Sequence, residues 1–381
     1  MLEIKGKVNT AICYAKVIED EAIEQIRRMC NYPMTEGSRI RIMPDVHAGK
    51  GCTIGTTMTI IDKAVPNVVG VDIGCGMYTV RLAEREIDLE KLDEAAHFIP
   101  SGMNVWEGRQ ERFDLTELRC YRALKDAKRL ERSLGTLGGG NHFIEVDQAA
   151  DGTKYLVIHS GSRNLGKQVG DYYNEKADML NRRWFSTVKS EIMLPFIPLL
   201  DPLFKEYWNE MEYCIEFGLC NRRLMIQRIE EVIADAIPDA EFEPMINISH
   251  NYAAWENHFG ENCIVHRKGA IRARPGEIGI IPGSQGTSSY IVEGLGNPDS
   301  FMSCSHGAGR AMSRTEAVHT LDLEKEKERL DNLGIVHAIR CQQDLEEAAS
   351  AYKNIEEVIA KEQDLVKIIL LSAKTFLIVQ N

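Results

Sequence analysis

The sequence predicts an α/β (α+β) protein: a β-rich core that carries the chemistry, interrupted by one long helical excursion. Two observations point there. Apolar runs ending in glycine turns recur at Thr53–Ile61, Thr136–Val146, Lys154–Gly166 and Glu277–Gly294, as strands feeding tight turns do. Between them, Asp201–Ala236 keeps helical spacing, with Leu203, Trp208, Met211, Ile215 and Leu219 recurring along it. The chain holds no repeat, low-complexity tract or flexible linker, so residues 1–381 read as a single domain with the excursion at about 181–236.

Taken in order, Asp20–Cys30 reads as an amphipathic helix, with Ala22, Ile23, Ile26 and Met29 on one face. Thr53–Ile61 and Val68–Val71 read as strands, and Glu117–Leu134 as a charged helix. Asn181–Pro198 turns apolar and ends in prolines, which suits the connection into the excursion. Beyond Arg310 the pattern is again helical as far as Val358.

Composition narrows the function. A chain with 44% hydrophobic and 27% charged residues has an ordinary globular balance and can bury a large core. Its longest uncharged apolar stretch, Met193–Leu200, is too short to cross a bilayer, and Met1 opens onto charged residues rather than a signal peptide. Ten scattered cysteines without a CxxC pair read as the free thiols of a cytoplasmic protein. A net charge of −12 disfavours a general nucleic-acid coat. Local basic clusters at Arg39/Arg41, Arg267/Lys268/Arg272/Arg274 and Arg310/Arg314 can still hold phosphates.

The chemistry is concentrated in five short segments: VDIGCGM (Val71–Met77), GGGNHFIEV (Gly138–Val146), IHSGSRNLG (Ile158–Gly166), NISHNYA (Asn247–Ala253) and SCSHGAGR (Ser303–Arg310). Each sets a His, Cys or Asp beside small residues, and their long, aperiodic separations fit a site assembled from distant loops. Asp72-x-x-Cys75 brings a carboxylate and a thiolate to one turn, and a thiolate can bridge two borderline metals. His142, His159 and His250 are the candidate nitrogen ligands; any one alone more often is a hydrogen-bonded structural histidine. His97, His258, His319 and His337 lack such company and read as structural, and Cys304 reads as a small buried thiol. Gly138–Asn141 and Pro282–Thr287 are candidate phosphate loops, although tight turns look the same. There is no GxxxxGK[ST] loop, no GxGxxG after a first strand and no KxDG, so any nucleotidyl nucleophile is not expected to be a lysine. His306, among small residues with Arg310 and Arg314 following, reads either as a nucleophile toward phosphorus or as a further metal ligand.

Ordered along the chain, DVHAGKG, VDIGCGM, LGTLGGGNHFIEV, HSGSR, SHNYA, VHRKGA, PGSxGTxSY, SHGAGR and AYKNIEEV together resemble the RtcB family of RNA-splicing ligases. The resemblance implies two manganese ions, GTP, and joining of RNA ends bearing a 2′,3′-cyclic phosphate or 3′-phosphate to a 5′-hydroxyl. It makes Cys75 the bridging thiolate, with Asp72 and His142 completing one metal shell and His159 and His250 the other. It makes His306 the guanylylated nucleophile. Asn141, Glu145, Asn251, Pro282, Ser284, Gln285, Ser289, Ala308, Gly309, Tyr352 and Gln380 fall on the guanylate pocket, and Arg163, Arg310 and Arg314 on RNA phosphates. Glu145 suits guanine, whose N1–H and exocyclic amine a carboxylate can accept. The implied partners are RNA and an archease-like activator, with no membrane. The chain ends Val379-Gln380-Asn381 where the family closes on lysine-glycine, as a divergent paralogue would. Two alternatives stay open: a metal-dependent cyclic-phosphate phosphoesterase, and a non-ligating RNA-binding paralogue.

Overall fold

The computed structural model describes residues 1–83, 87–184, 192–236 and 242–379. Gln380 and part of the Asn181–Pro198 connection lie outside the described residues. Two sheets frame the molecule. A six-stranded sheet runs in the order Leu2–Lys5, Thr10–Cys13, Arg39–His47, Ile54–Ile60, Glu261–Lys268, Asn251–His258. An eight-stranded sheet runs Glu243–Ser249, Gly76–Ala83, Lys154–Ser160, Phe143–Ala149, Val366–Val379, Ser289–Gly294, Ile278–Ile281, with Val336–His337 pairing in parallel beside Val366–Val379. Neighbours in it are otherwise antiparallel, and its strands carry β-branched and aromatic residues, as a half-buried pleated surface favours.

The helix Asp20–Cys30 forms where expected, and Ala22, Ile26, Met29 and Cys30 are its buried face. The long helix Pro202–Ala236 also forms. It packs against the eight-stranded sheet, burying Tyr207, Met211, Cys214, Phe217, Met225 and Ile229. Glycines let it approach closely: a Cβ at Gly218 would sit 2.5 Å from the Gly74 carbonyl oxygen. The long helix thus lies directly behind the turn that carries Cys75.

Several local expectations are corrected. Val68–Val71 is not a strand; Pro66–Val69 is a helical turn, because Pro66 presets a helical φ at its first position. Glu117–Leu134 is not one helix. Leu118 and Leu124 take extended backbone, Tyr121–Ala123 is a 3-10 turn, Asp126 sits in the left-handed region, and only Ala127–Glu131 is α-helical. The apolar run Thr136–Val146 is a loop until Phe143, where the strand Phe143–Ala149 begins. Lys154–Gly166 is a strand only to Ser160, and a helix the sequence reading missed, Leu165–Arg183, follows it. After Arg310 only Arg314–Thr320, Leu323–Asn332 and Ile355–Ile359 are α-helical among the described residues. Val366–Val379, which the sequence reading left unassigned, is a 14-residue strand inside the larger sheet.

Candidate metal and nucleotide site

The five motif segments converge. The turn before Gly76–Ala83 carries Asp72 and Cys75, the loop before Phe143–Ala149 carries His142, Lys154–Ser160 carries His159, and His250 lies between two strands. Cys75 Sγ lies 3.5 Å from His142 Nε2 and 3.3 Å from His159 Nε2. His159 Nε2 is 3.1 Å from His250 Nε2, and His142 Nε2 is 3.5 Å from Asp72 Oδ2. Two donor sets result, Asp72/Cys75/His142 and Cys75/His159/His250, and Cys75 belongs to both.

The donor chemistry fits a pair of metal ions. His142 Nδ1 faces the Leu137 carbonyl at 3.0 Å and His159 Nδ1 faces the Asn141 carbonyl at 2.8 Å. A carbonyl only accepts, so both rings carry a proton on Nδ1 and turn Nε2 toward the donor set. Two ligands of one ion, at about 2.1 Å each and near right angles, lie about 3 Å apart, close to the separation of the His159 and His250 nitrogens. Burial, with His142 adding to it, pushes the His159 pKa down to about 3. Burial also holds His250 well below its ordinary value, with His306 and His159 contributing. Both imidazoles are therefore neutral and ligand-ready. Burial works against the Asp72 carboxylate, yet the hydrogen bond and charge of His142, with Arg163, outweigh it and hold its pKa below the ordinary value. The Cys75 thiol is pushed well up by burial and by Asp72, so a bound cation would have to displace its proton.

Arg222, from the long helix, ties these segments together. Its guanidinium donates to the carbonyls of Gly74 (2.9 Å) and Ser160 (2.8 Å) and to Asn247 Oδ1 (2.9 Å), and the residue is fully buried. Sequence reasoning missed it, though Asn221-Arg222 interrupting an apolar helix was a usable signal.

His306 stands beside the metal donors, its ring centroid 4.7 Å from that of His250. Its Nδ1 lies 2.6 Å from Asp45 Oδ2, which also accepts the His306 backbone N–H at 3.1 Å. A carboxylate can only accept, so Nδ1 donates to Asp45, and Nε2 is the ring nitrogen left for other chemistry. Asp45 is completely buried; burial opposes its charge, but His306 outweighs that and holds its pKa below the ordinary value. Asp45 was visible in DVHAGKG but had no role until the structure paired it with a residue 261 positions away.

A cavity of about 460 Å³ runs from the metal donors past His306. Asp72, Cys75, His159, His250, Asn141, Asn251 and Glu145 line it, together with Pro282, Ser284, Gln285, Ala308, Gly309, Arg310, Arg314 and Tyr352. Asn251 is braced, its amide donating to the Asp72 carbonyl (3.0 Å) and its oxygen accepting from Gly269 N–H (2.9 Å). Ser289 stands outside the lining, and its hydroxyl donates to Glu145 at 3.2 Å. Arg310 and Arg314 share Glu347, at 2.9 and 2.7 Å, and Tyr352 donates to the same carboxylate. Glu347, which aligns both arginines, was not anticipated. Arg163 is buried apart from the cavity lining, donating to Thr136 Oγ1 (2.7 Å) and the Gly102 carbonyl (2.9 Å). Of the basic clusters, Arg267 is no surface feature: it is buried against Glu256 at 2.6 and 3.1 Å. Cys304 is a buried thiol, as expected.

The fold and these donor sets define an α/β protein with a candidate two-metal site. A family model described as tRNA-splicing ligase RtcB matches residues 25–125 and 120–379, and the chain belongs to the RtcB family. It is 35% identical to the RNA-splicing ligase RtcB of Escherichia coli K12, over 92% of each chain. It is 30% identical to the RNA-splicing ligase RtcB of Mycobacterium tuberculosis, over 83% of this chain and 90% of that one. The tRNA-splicing ligase RtcB of Thermococcus kodakarensis is 28% identical, over 90% of this chain and 87% of its own.

Proposed function

We propose that this chain, acting as one catalytic domain, is a GTP- and manganese-dependent RNA ligase that joins ends bearing a 3′-phosphate, or a 2′,3′-cyclic phosphate once opened, to 5′-hydroxyl ends. The observation that carries this reading is the placement of His306: hydrogen-bonded by Asp45 on one nitrogen, free on the other, and beside two donor sets that share a thiolate. RNA splicing ligase is what the names of its relatives state. Its work would be tRNA splicing or RNA repair, in the cytoplasm, with an archease-like activator as a partner. All ten cysteines are free, as a reducing compartment favours, and no described helix is long and apolar enough to cross a membrane.

Asp72, Cys75, His142, His159 and His250 would hold the two ions, which when bound neutralise charge on the reacting phosphates. Asp45 holds the His306 ring by its Nδ1–H and leaves Nε2 to attack the α-phosphorus of GTP. The Nε2–P bond forms as the bond to pyrophosphate breaks, and the carboxylate steadies the positive charge that develops on the ring. An oxygen of the RNA 3′-phosphate then takes the guanylyl group from His306. Attack by the 5′-hydroxyl on that activated phosphate closes the 3′,5′ bond and releases GMP. Arg310 and Arg314, pre-aligned by Glu347, present guanidinium groups to phosphates at the cavity wall. Glu145 faces the nucleobase end, with Asn141, Ser284 and Gln285 along the wall.

The test is incubation with α-labelled GTP and manganese, followed by denaturing electrophoresis. The wild-type chain should retain label that is acid-labile and alkali-stable. His306→Ala should retain none while still binding metal. Label on that variant would place the nucleophile elsewhere, and an unlabelled wild-type chain that still opens cyclic phosphates would favour the phosphoesterase.

A further inference from the structure

The nucleobase end of the cavity holds a buried charge that the mechanism above leaves unused. Lys374, on the strand Val366–Val379, is 1% exposed at its side chain, as is Glu145. Its ammonium donates to Glu145 Oε2 and, at 3.1 Å, to Ser289 Oγ, while Ser289 donates to Glu145 Oε1. The three groups close a ring. The strand register explains the meeting: Lys374 pairs with Asp147, and the irregularity between Lys374 and Phe376 leaves Thr375 over, so Lys374 reaches diagonally to Glu145. Asp147 shares that face, accepting from Ser372 at 3.0 Å, and its Oδ1 has no partner. Among the described residues, the charged groups beside Glu145 are thus Asp147 on its own strand and Lys374 on the next, with the hydroxyls of Ser289 and Ser372 next to them.

We propose that Lys374 is a specificity-determining positioning residue, which keeps Glu145 an ionised, correctly aimed acceptor and so makes the cavity select a 6-oxopurine nucleotide. The proposal rests on the reading that Glu145 faces the base. An ionised carboxylate only accepts, and so meets the N1–H and 2-amino donors of guanine or the N1–H of hypoxanthine. A neutral carboxylic acid both donates and accepts, and that pattern also suits adenine, whose N1 accepts and whose 6-amino group donates. Two buried carboxylates beside one ammonium make the protonation state of Glu145 depend on Lys374. Burial, with Asp147 adding to it, pushes the Glu145 pKa up, and Lys374 is the principal charge opposing that rise.

The experiment measures equilibrium binding of GTP, ITP and ATP, without turnover, to the wild-type full chain and to Lys374→Met, Lys374→Gln and Lys374→Arg between pH 6 and 8.5. Wild type should favour GTP and ITP over ATP. In Lys374→Met that preference should fall about tenfold or more, the scale of losing a charged acceptor, and should recover partly as pH rises. Lys374→Arg should keep the preference within about threefold, because it retains the charge. Should Lys374→Met not fold, Lys374→Gln, which keeps a neutral donor, should show a smaller loss in the same direction. If the variants bind all nucleotides more weakly but keep the wild-type preference at every pH, Lys374 is only structural and the proposal is wrong. If wild type itself binds the three equally, the guanine reading of Glu145 fails first and takes the proposal with it.

Discussion

Asp45→Asn isolates the orienting carboxylate from everything else in the site. The substitution keeps shape and burial and removes only charge, and Asp45 touches neither donor set of the metal site. In the wild-type chain one oxygen accepts both the ring Nδ1–H at 2.6 Å and the backbone N–H of His306 at 3.1 Å. A charge-assisted bond contributes about 1.5–3 kcal/mol and a neutral one about 0.5–1.5, so the variant loses about 1–1.5 kcal/mol even if its amide oxygen keeps both contacts. Expressed in the guanylylation step, where the ring becomes positive, that is about five- to thirteenfold in rate. If the amide instead presents its NH2 to the ring, the proton moves to Nε2 and attack is blocked, so the loss becomes far larger. The assay is single-turnover labelling with α-labelled GTP at saturating nucleotide, with metal content measured on the same sample. Metal content should be unchanged and the rate should fall at least fivefold. A rate equal to wild type would refute the reasoning, since His306 would then be oriented by something other than Asp45.

Cys75→Ala removes the donor common to both sets, so both metal occupancies should fall together when measured by elemental analysis; two ions retained would exclude a bridging thiolate. Arg222→Met leaves the Gly74 and Ser160 carbonyls without their donor in a buried place, at about 1–3 kcal/mol for each. Its melting temperature and its metal affinity should therefore drop in parallel, whereas a purely electrostatic role would move affinity alone. Glu362→Gln should stabilise the chain progressively as pH rises. Burial pushes the Glu362 pKa up from 4.5 to about 8, so the folded state favours its neutral form and loses stability between those limits. The difference in unfolding free energy from wild type should grow by at most about 1.4 kcal/mol per pH unit in that window, and a flat difference across pH 5–8 would mean the carboxyl is not buried neutral.

What the sequence disclosed and what it hid divide along one physical line. The metal donors were legible because each sits in a short polar segment, and all but the His250 segment carry glycines that permit close approach. A Cβ at Gly161, for instance, would overlap the Asp72 carboxylate. Asp45, Glu347 and Lys374 had no such neighbourhood, since their meaning lies in partners 261, 37 and 229 positions away, and no local pattern encodes a long-range pair. Lys374 was the hardest to see, because in VKIILLSAKTFLIV a lysine reads as the solvent side of an edge strand. Its strand instead lies between two neighbours, so the side chain is buried and must be paired. Secondary structure failed for a related reason. Val68-Val69 looks extended until Pro66 presets the preceding turn, and the charged run from Glu117 is broken by Leu118, which turns inward to the core.

The buried polar groups of this molecule are arranged in two tiers, and the second explains why the first can exist. Neutral imidazoles of His159 and His250 turned toward one another, with a protonated Cys75 beside His159, crowd polar atoms together at one end of the cavity, and burying such groups is costly unless they are held in place. What holds the donors there is the layer behind: the carbonyls of Leu137 and Asn141 fixing the rings of His142 and His159, Arg222 tying the Gly74 turn to the end of the Ser160 strand, and the glycines that let the long helix press on Gly74. The same construction recurs at each remaining group, with Asp45 behind His306, Glu347 behind Arg310 and Arg314, and Lys374 behind Glu145. His159, His306, Arg310, Arg314 and Glu145 each have one side fixed by a buried partner of opposite charge or by a carbonyl, and each lines the common cavity. Free energy released by packing and hydrogen bonding elsewhere in the fold is thus held as preorganisation, so that little reordering remains when metal, nucleotide and RNA phosphate arrive.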